Sequence, residues 1–265
     1  MVISSFVSTR RTSGRPAPTR KWSVAVATGL RGAGLGNEAF SLAKAYIGSQ
    51  VLDADLVEQP WILNRRGYWR DLGPNIRKPL AARWAVRRGV REFDPHDLRD
   101  PWDYSLSMQA LAERLPAAFV VRHTSGMKGG YLAIAAARDF LRQRLIPDAC
   151  VDTAPGHGTR IGVHVRLSDF QRGAITPGAF NVALPISWTI HAVESLLRAA
   201  SPEQPSILVH TDASSNSPEI SAFMRAFAGY DIRLVNEGLL GDLRSLTQCT
   251  VLVPSVSSFS TLALF

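Results

Sequence analysis

Residues 22–46 read WSVAVATGLRGAGLGNEAFSLAKAY. SVAVAT is a short apolar run of strand type. A glycine-rich turn follows, and from Asn37 to Ser49 the apolar residues Ala39, Phe40, Ala43, Tyr46 and Ile47 fall at helical spacing. Strand, glycine turn and helix together open an α/β unit, and the turn decides which kind. A nicotinamide-dinucleotide fold needs G-x-G-x-x-G and an acid about 20 residues on. Here Gly32, Gly34 and Gly36 run G-x-G-x-G, Asn37 stands where the third glycine is required, and Asp53 and Asp55 follow at a suitable distance. The same glycines fit two other uses. Backbone N–H groups at a helix start bind phosphate or sugar, and a glycine turn lets neighbouring elements approach closely.

The alternation continues outward from this stretch. QVLDADL (50–56) reads as the next strand, and residues 129–146 as one long helix stopped by Pro147. The polar, turn-rich DACVDTAPGHGTR (148–160) marks a domain boundary. Strands are then expected at 160–167 (RIGVHVRL), 206–212 (SILVHTD), 231–236 (DIRLVN) and 250–255 (TVLVPS). Helices are expected at 187–200, 218–227 with Ser217 as N-cap, 241–249, and from Ser257 onward. Strands alternating with helices imply parallel sheets covered on both faces. The expected division is a basic tail (1–21), an N-terminal Rossmann-like domain (22–150) and a C-terminal one (151–265).

The 265 residues are 46% hydrophobic and 20% charged, an ordinary globular composition. No apolar run approaches the roughly 18 residues of a membrane span. The tail MVISSFVSTRRTSGRPAPTRK has five cations, no acid and no apolar core of a secretory signal. It reads as a disordered basic tail, although its Arg and Ser content also fits a transit peptide. The five tail cations taken from the net +8 leave +3 for the rest. Residues 65–91 gather nine cations against Asp71 alone. That run reads either as a solvated helix face or as a docking surface for an anionic membrane or acceptor. Nucleic acid is not expected, because no interleaved aromatic or zinc-finger pattern accompanies the charge. Cys150 and Cys249 have neither metal nor disulfide spacing and fit a reducing cytoplasm.

Ligands of parallel α/β sheets bind at the carboxyl ends of the strands, and polar residues collect at three of these tips. IGVHVRLSDF carries His164, Arg166 and Asp169, with His164 and Arg166 on one face by alternation. An Arg there can fork onto a diphosphate; the same residues also read as an Arg–Asp surface pair beside a half-buried His. HTDASS places Asp212 at the next tip. PSVSSFS places Ser255, Ser257, Ser258 and Ser260 where a strand turns into a helix, a phosphate site or simple N-capping.

These motifs carry a resemblance. GLGNEAFSLAKAY resembles the GGLGNQ-x-F-x-x-A-x-A segment of bacterial α-1,2-fucosyltransferases. HVRLSD is similar to their H-x-R-x-x-D motif, shared in form with α-1,6-fucosyltransferases and protein O-fucosyltransferases. DLRSLTQCTVLVPSVSSFSTLA resembles their closing D-x-x-x-L-x-x-C and S-x-S-S-F-S motifs. The three come in the family's order and span most of the chain after the tail. The resemblance implies a GT-B-like pair of Rossmann-like domains and an inverting, metal-independent transfer of fucose from GDP-fucose to a hydroxyl of a glycan or glycolipid-linked acceptor. It needs no cofactor beyond that donor. The isolated cysteines point to a cytoplasmic protein, and the basic charge of residues 65–91 allows peripheral contact at the inner membrane face.

Carried over by motif, Arg166 contacts the diphosphate, Asp169 supports it and His164 lies near the guanosine. Asp242 approaches the nucleotide, Ser255, Ser257, Ser258 and Phe259 line its phosphate and base side, and Gly34, Gly36 and Asn37 face the sugar. Asp169, Asp53 and Glu38 are all candidates for the general base. Glu38 replaces the family's Gln, Leu167 stands where many members have a second Arg, and no Trp follows Phe259. The chain stops at Phe265 inside an expected helix, which reads as truncation. A catalytically degenerate sugar-nucleotide-binding protein and an NAD-dependent oxidoreductase are the alternatives. Trp61, Tyr68, Trp69 and Trp84 are either acceptor-stacking or core aromatics.

Overall fold

The computed structural model describes residues 24–28, 33–93, 103–123, 127, 129–146, 158–170, 172, 181–199 and 205–265. The tail, Gly32 and the boundary at 150/151 lie outside these residues. Two four-stranded parallel sheets organise the rest. The first contains β1 (Val24–Thr28), β2 (Asp55–Val57), β3 (Arg91–Phe93) and β4 (Phe119–His123), in the order β2-β1-β4-β3. The second contains β5 (Arg160–Val165), β6 (Ser206–Thr211), β7 (Ile232–Val235) and β8 (Val251–Val253), in the order β7-β6-β5-β8. This is the expected GT-B-like arrangement of two Rossmann-like units.

Helix α1 (Leu35–Leu52) runs through the middle of the first unit. It is buried nearly all round: Ala39, Phe40, Leu42, Ala43 and Ala45 are inaccessible to solvent, and Glu38, Ser41, Lys44 and Ser49 are buried with them. Residues 50–52 complete this helix instead of starting a strand. Leu52 is buried in the same core, and the chain turns only at Asp53, whose φ of 49° is left-handed. The next strand is therefore just Asp55–Val57.

Short helices α2 (Trp69–Leu72) and α3 (Arg77–Arg87) follow, the latter packing Ala82 against Val57 and Val120. Then comes α4 (Tyr104–Ala112), N-capped by Asp103. The single helix expected at 129–146 is broken. Gly129 and Gly130 take positive φ (81° and 57°), and α5 (Gly130–Ala133), a 3-10 turn at Ala135–Ala137 and α6 (Arg138–Leu145) succeed one another. The tighter turn keeps Ile134, Ala137, Leu141 and Leu145 all in the core.

In the second unit Ile161, Val163 and Val165 form the apolar face of β5. They share a core with Val193 of α7 (Ile186–Ala199) and with Ile220 and Phe223 of α8 (Pro218–Ala226). As expected, Ser217 caps α8, accepting from the Ile220 N–H, with Pro218 behind it. The other face of β5 bears Gly162 and His164. Gly162 is needed there, since a Cβ would stand 2.7 Å from the Cys249 sulfur. Helices α9 (Leu239–Thr247) and α10 (Ser258–Leu264) cover this side. They also bury Leu243 and Leu262 in the first unit's core, so one layer of helices serves both sheets.

Candidate functional site

Strand order locates the site. In the second sheet the chain runs from β5 outward through β6 to β7 and then crosses back to β8 on the other side of β5. The strand order therefore reverses between β5 and β8, and the carboxyl ends of these two strands are the crevice where such sheets take ligands. HVRLSD follows β5 and PSVSSFS follows β8. The two loops meet there: the His164 Nδ1 and Ser255 Oγ lie 2.8 Å apart in a hydrogen bond. The Phe259 ring stands 5.5 Å from the His164 ring. Burial, then the Arg166 charge, lowers His164 from its ordinary 6.5 to about 4, so the imidazole is neutral near pH 7.

Arg166 projects from the tip between two carboxylates. Its Nε donates to Asp169 Oδ1 at 3.0 Å and lies 3.0 Å from Asp212 Oδ2; Nη2 is 2.8 Å from Asp169 Oδ1. Among the described residues Nη1 has no partner, and the side chain is 21% exposed. Asp212 holds the loop itself, accepting from the Leu167 N–H at 2.8 Å and from the Ser168 N–H and hydroxyl. Burial pushes the Asp212 carboxyl up, but these donors and Arg166 outweigh it and hold it below the usual carboxylate range. Asp169 is half exposed, so its pairing contributes little to stability and leaves it accessible.

The serines divide their work. Ser257 caps α10, accepting from the Phe259 N–H, and its carbonyl accepts from the Ser260 and Thr261 hydroxyls. Ser260 is fully buried. Ser255 alone turns its hydroxyl toward the β5 tip. Asp242, in the first turn of α9, accepts from the Glu237 N–H and lies 3.4 Å from the Nδ1 of His210. His210 pairs in register with His164 on the neighbouring strand, and its Nε2 lies 3.1 Å from the Ser245 hydroxyl. His210 is not among the site residues that the motifs single out; its signal in the sequence is a second histidine on the strand before Asp212.

The first unit closes the crevice. A Cβ on Gly36 would lie 2.4 Å from the Ser258 carbonyl carbon, so the start of α1 touches the start of α10, backbone against backbone. Gly34, as N-cap, has open space around its Cα. The Tyr68 hydroxyl accepts from the Leu35 N–H at 2.9 Å, and the Tyr131 hydroxyl donates to the Ser258 carbonyl at 2.7 Å. Burial raises the Tyr68 phenol, with Arg66, Glu38 and Arg166 all acting on it electrostatically. Asn37, in the first turn of α1, is partly buried. Glu38 is fully buried, its Oε1 accepting from the Ala33 N–H.

Two expectations are corrected here. Asp53 stands at the far end of an 18-residue helix, about 27 Å from the crevice, and is no general base for it. Asp53 and Asp55 flank the amino end of β2, whereas a dinucleotide ribose is met at a carboxyl end. Glu58, beyond β2, is occupied by Arg144 at 2.8 Å and the Trp61 ring N–H at 3.1 Å. The aromatics also split: Trp61 and Tyr68 are core residues, whereas Trp69 and Trp84 are exposed. Among the described residues no three His, Cys, Asp or Glu side chains are placed to hold a metal ion.

No protein-family model matches the chain, and no curated protein matches it. Among solved structures it is similar to NodZ alpha-1,6-fucosyltransferase co-crystallized with GDP, at 16% identity and a TM-score of 0.48 over 91% of this chain and 92% of that one. It is similar to fucosyltransferase NodZ from Bradyrhizobium at 15% identity and a TM-score of 0.48, over 91% and 93% of the two chains. POFUT1 in complex with GDP-fucose aligns at 12% identity and a TM-score of 0.43, over 91% and 93%.

Proposed function

We propose that this chain is an inverting glycosyltransferase that takes a GDP-sugar, GDP-fucose by its motifs, and transfers the sugar to a hydroxyl of a glycan or glycolipid-linked acceptor. An α-1,2 linkage is the one the first motif favours. The observation that carries the reading is the meeting of HVRLSD and PSVSSFS at the switch point of the second sheet, where Arg166 keeps Nη1 unpartnered among the described residues.

The chemistry follows from that placement. The acceptor oxygen attacks the anomeric carbon, the bond from that carbon to the β-phosphate oxygen breaks, and GDP leaves with the electron pair. Arg166, aligned by Asp169 and Asp212, meets the charge growing on the leaving phosphate. Of the three carboxylates considered as base, only Asp169 is both accessible and beside the guanidinium, and we assign it the acceptor proton. Neutral His164 and Ser255 bind the nucleoside side, with Asp242 and His210 behind them. The chemistry we propose uses no metal ion.

A degenerate sugar-nucleotide-binding protein is the second reading. It is favoured by Leu167, which is 3% exposed in the aliphatic core and offers no second cation to the diphosphate.

The test is calorimetric titration of the full chain and of Arg166→Ala with GDP, GDP-fucose and NAD. Loss of one charge-assisted diphosphate contact should weaken GDP by roughly 10- to 150-fold, about 1.5–3 kcal/mol, with no NAD binding by either chain. Equal GDP affinity in both chains, or NAD binding instead, overturns the reading. GDP-fucose hydrolysis or transfer then separates an enzyme from a binding protein.

A further inference from the structure

We propose that the outer face of α3 is a docking surface for an anionic lipid membrane, independent of the nucleotide site. Helix α3 reads RKPLAARWAVR and contains no acid. It buries Pro79, Ala82 and Ala85 against the first sheet. Its outward face presents Leu80 and Trp84, one turn apart and 57% and 55% exposed, above a shallow groove shared with Arg83 and Arg87. Lys78, Arg83, Arg87 and Arg88 are exposed, and among the described residues none has an ion-pair partner. The Arg88 guanidinium lies over the Trp84 ring at 3.4 Å from its centroid.

A helix face built only for water mixes both signs in i,i+4 pairs. This face has one sign, with two large apolar side chains at its crest. Apolar residues gain nothing from a phosphodiester backbone, whereas Trp and Leu set among cations match the acyl–headgroup boundary of an anionic bilayer. Attraction to the surface charge then adds to apolar insertion. The geometry permits this without blocking the crevice. Ala82 packs with Val57 and Val120, a cluster separate from the core shared by α1 and α10, so the docking face and the crevice rest on different cores. No helix among the described residues is long and apolar enough to cross a membrane, so the contact is peripheral.

The experiment is co-sedimentation of the full chain with phosphatidylcholine vesicles and with vesicles that also contain phosphatidylglycerol. Chains compared are the parent, Arg83→Glu/Arg87→Glu and Leu80→Ser/Trp84→Ala, with circular dichroism as the check on folding. These are exposed side chains, and the basic tail is intact in every chain. The parent should bind the anionic vesicles and release them in high salt. The charge variant should bind at least about 30-fold more weakly, and the apolar variant should lose binding with its fold intact. Equal binding by parent and variants overturns the proposal and assigns the affinity to the tail. It also fails if the parent ignores both kinds of vesicle, or if the variants lose affinity for a duplex oligonucleotide while keeping it for vesicles.

Discussion

Gly36 is where two opposed effects can be separated. In the interior of an exposed helix, replacing glycine by alanine gains about 1 kcal/mol of propensity. At Gly36 the added Cβ would sit 2.4 Å from the Ser258 carbonyl carbon and 2.6 Å from the Phe259 nitrogen. Both are backbone atoms that cannot rotate away, so α1 and α10 must separate, and overpacking of this kind costs about 1–3 kcal/mol. We expect Gly36→Ala to lower urea-unfolding stability by an amount in that range and to weaken GDP binding. Gly34→Ala, with nothing within 4 Å, should be tolerated by comparison. A stabilised Gly36→Ala would mean that the two helix starts do not touch. The glycines were legible as glycines, and close approach was one of their three readings. The partner was not legible, because Ser258 lies at the opposite end of the chain and nothing local to 32–36 points to it.

At the level of elements, β5 and α10 hold a histidine neutral. His164 titrates near its ordinary 6.5 when unfolded and at about 4 when folded, lowered by burial and by Arg166. Between those values the unfolded chain binds the extra proton, so the contribution to stability is full above pH 6.5 and is lost as the pH falls to 4. The gap corresponds to on the order of 3 kcal/mol. His123, lowered to about 3 by burial, and Asp212, held low by its donors, act in the same direction, so the informative quantity is a difference. The stability gap between the parent and His164→Gln, from urea unfolding at several pH values, should narrow as pH falls from 7 to 4. A constant gap would mean that His164 is not buried neutral. The strand carrying His164 was legible from RIGVHV, a short run buried on both faces in which Ile161, Val163 and Val165 share one core. The break at 134–137 was not, because helical spacing survives a single 3-10 turn. Nor was the true start of β2, because Val51 and Leu52 suit a helix core as well as a strand.

For the whole molecule, the question is whether two sheets make two folding units. Rossmann-like units joined by a linker move independently unless their interface is large and apolar. Here α9 and α10 belong by sequence to the second unit, yet they bury Leu243 and Leu262 in the core of the first. Tyr131 packs on Phe40 and Phe265 at ring-centroid distances of 4.5 and 4.9 Å, and its hydroxyl bonds the Ser258 carbonyl at 2.7 Å. Dismantling the first core therefore uncovers α9 and α10, and the Phe259 ring of α10 also packs 5.5 Å from the His164 ring of the second sheet. Scanning calorimetry should therefore give one transition whose van't Hoff and calorimetric enthalpies agree. Tyr131→Phe keeps the ring and removes one hydrogen bond, so it should lower stability by about 1 kcal/mol without splitting the transition. Two resolved transitions in the parent would mean that the helical layer belongs to one sheet alone. The crevice at β5 and β8 would then have to be assembled by ligand rather than by the fold.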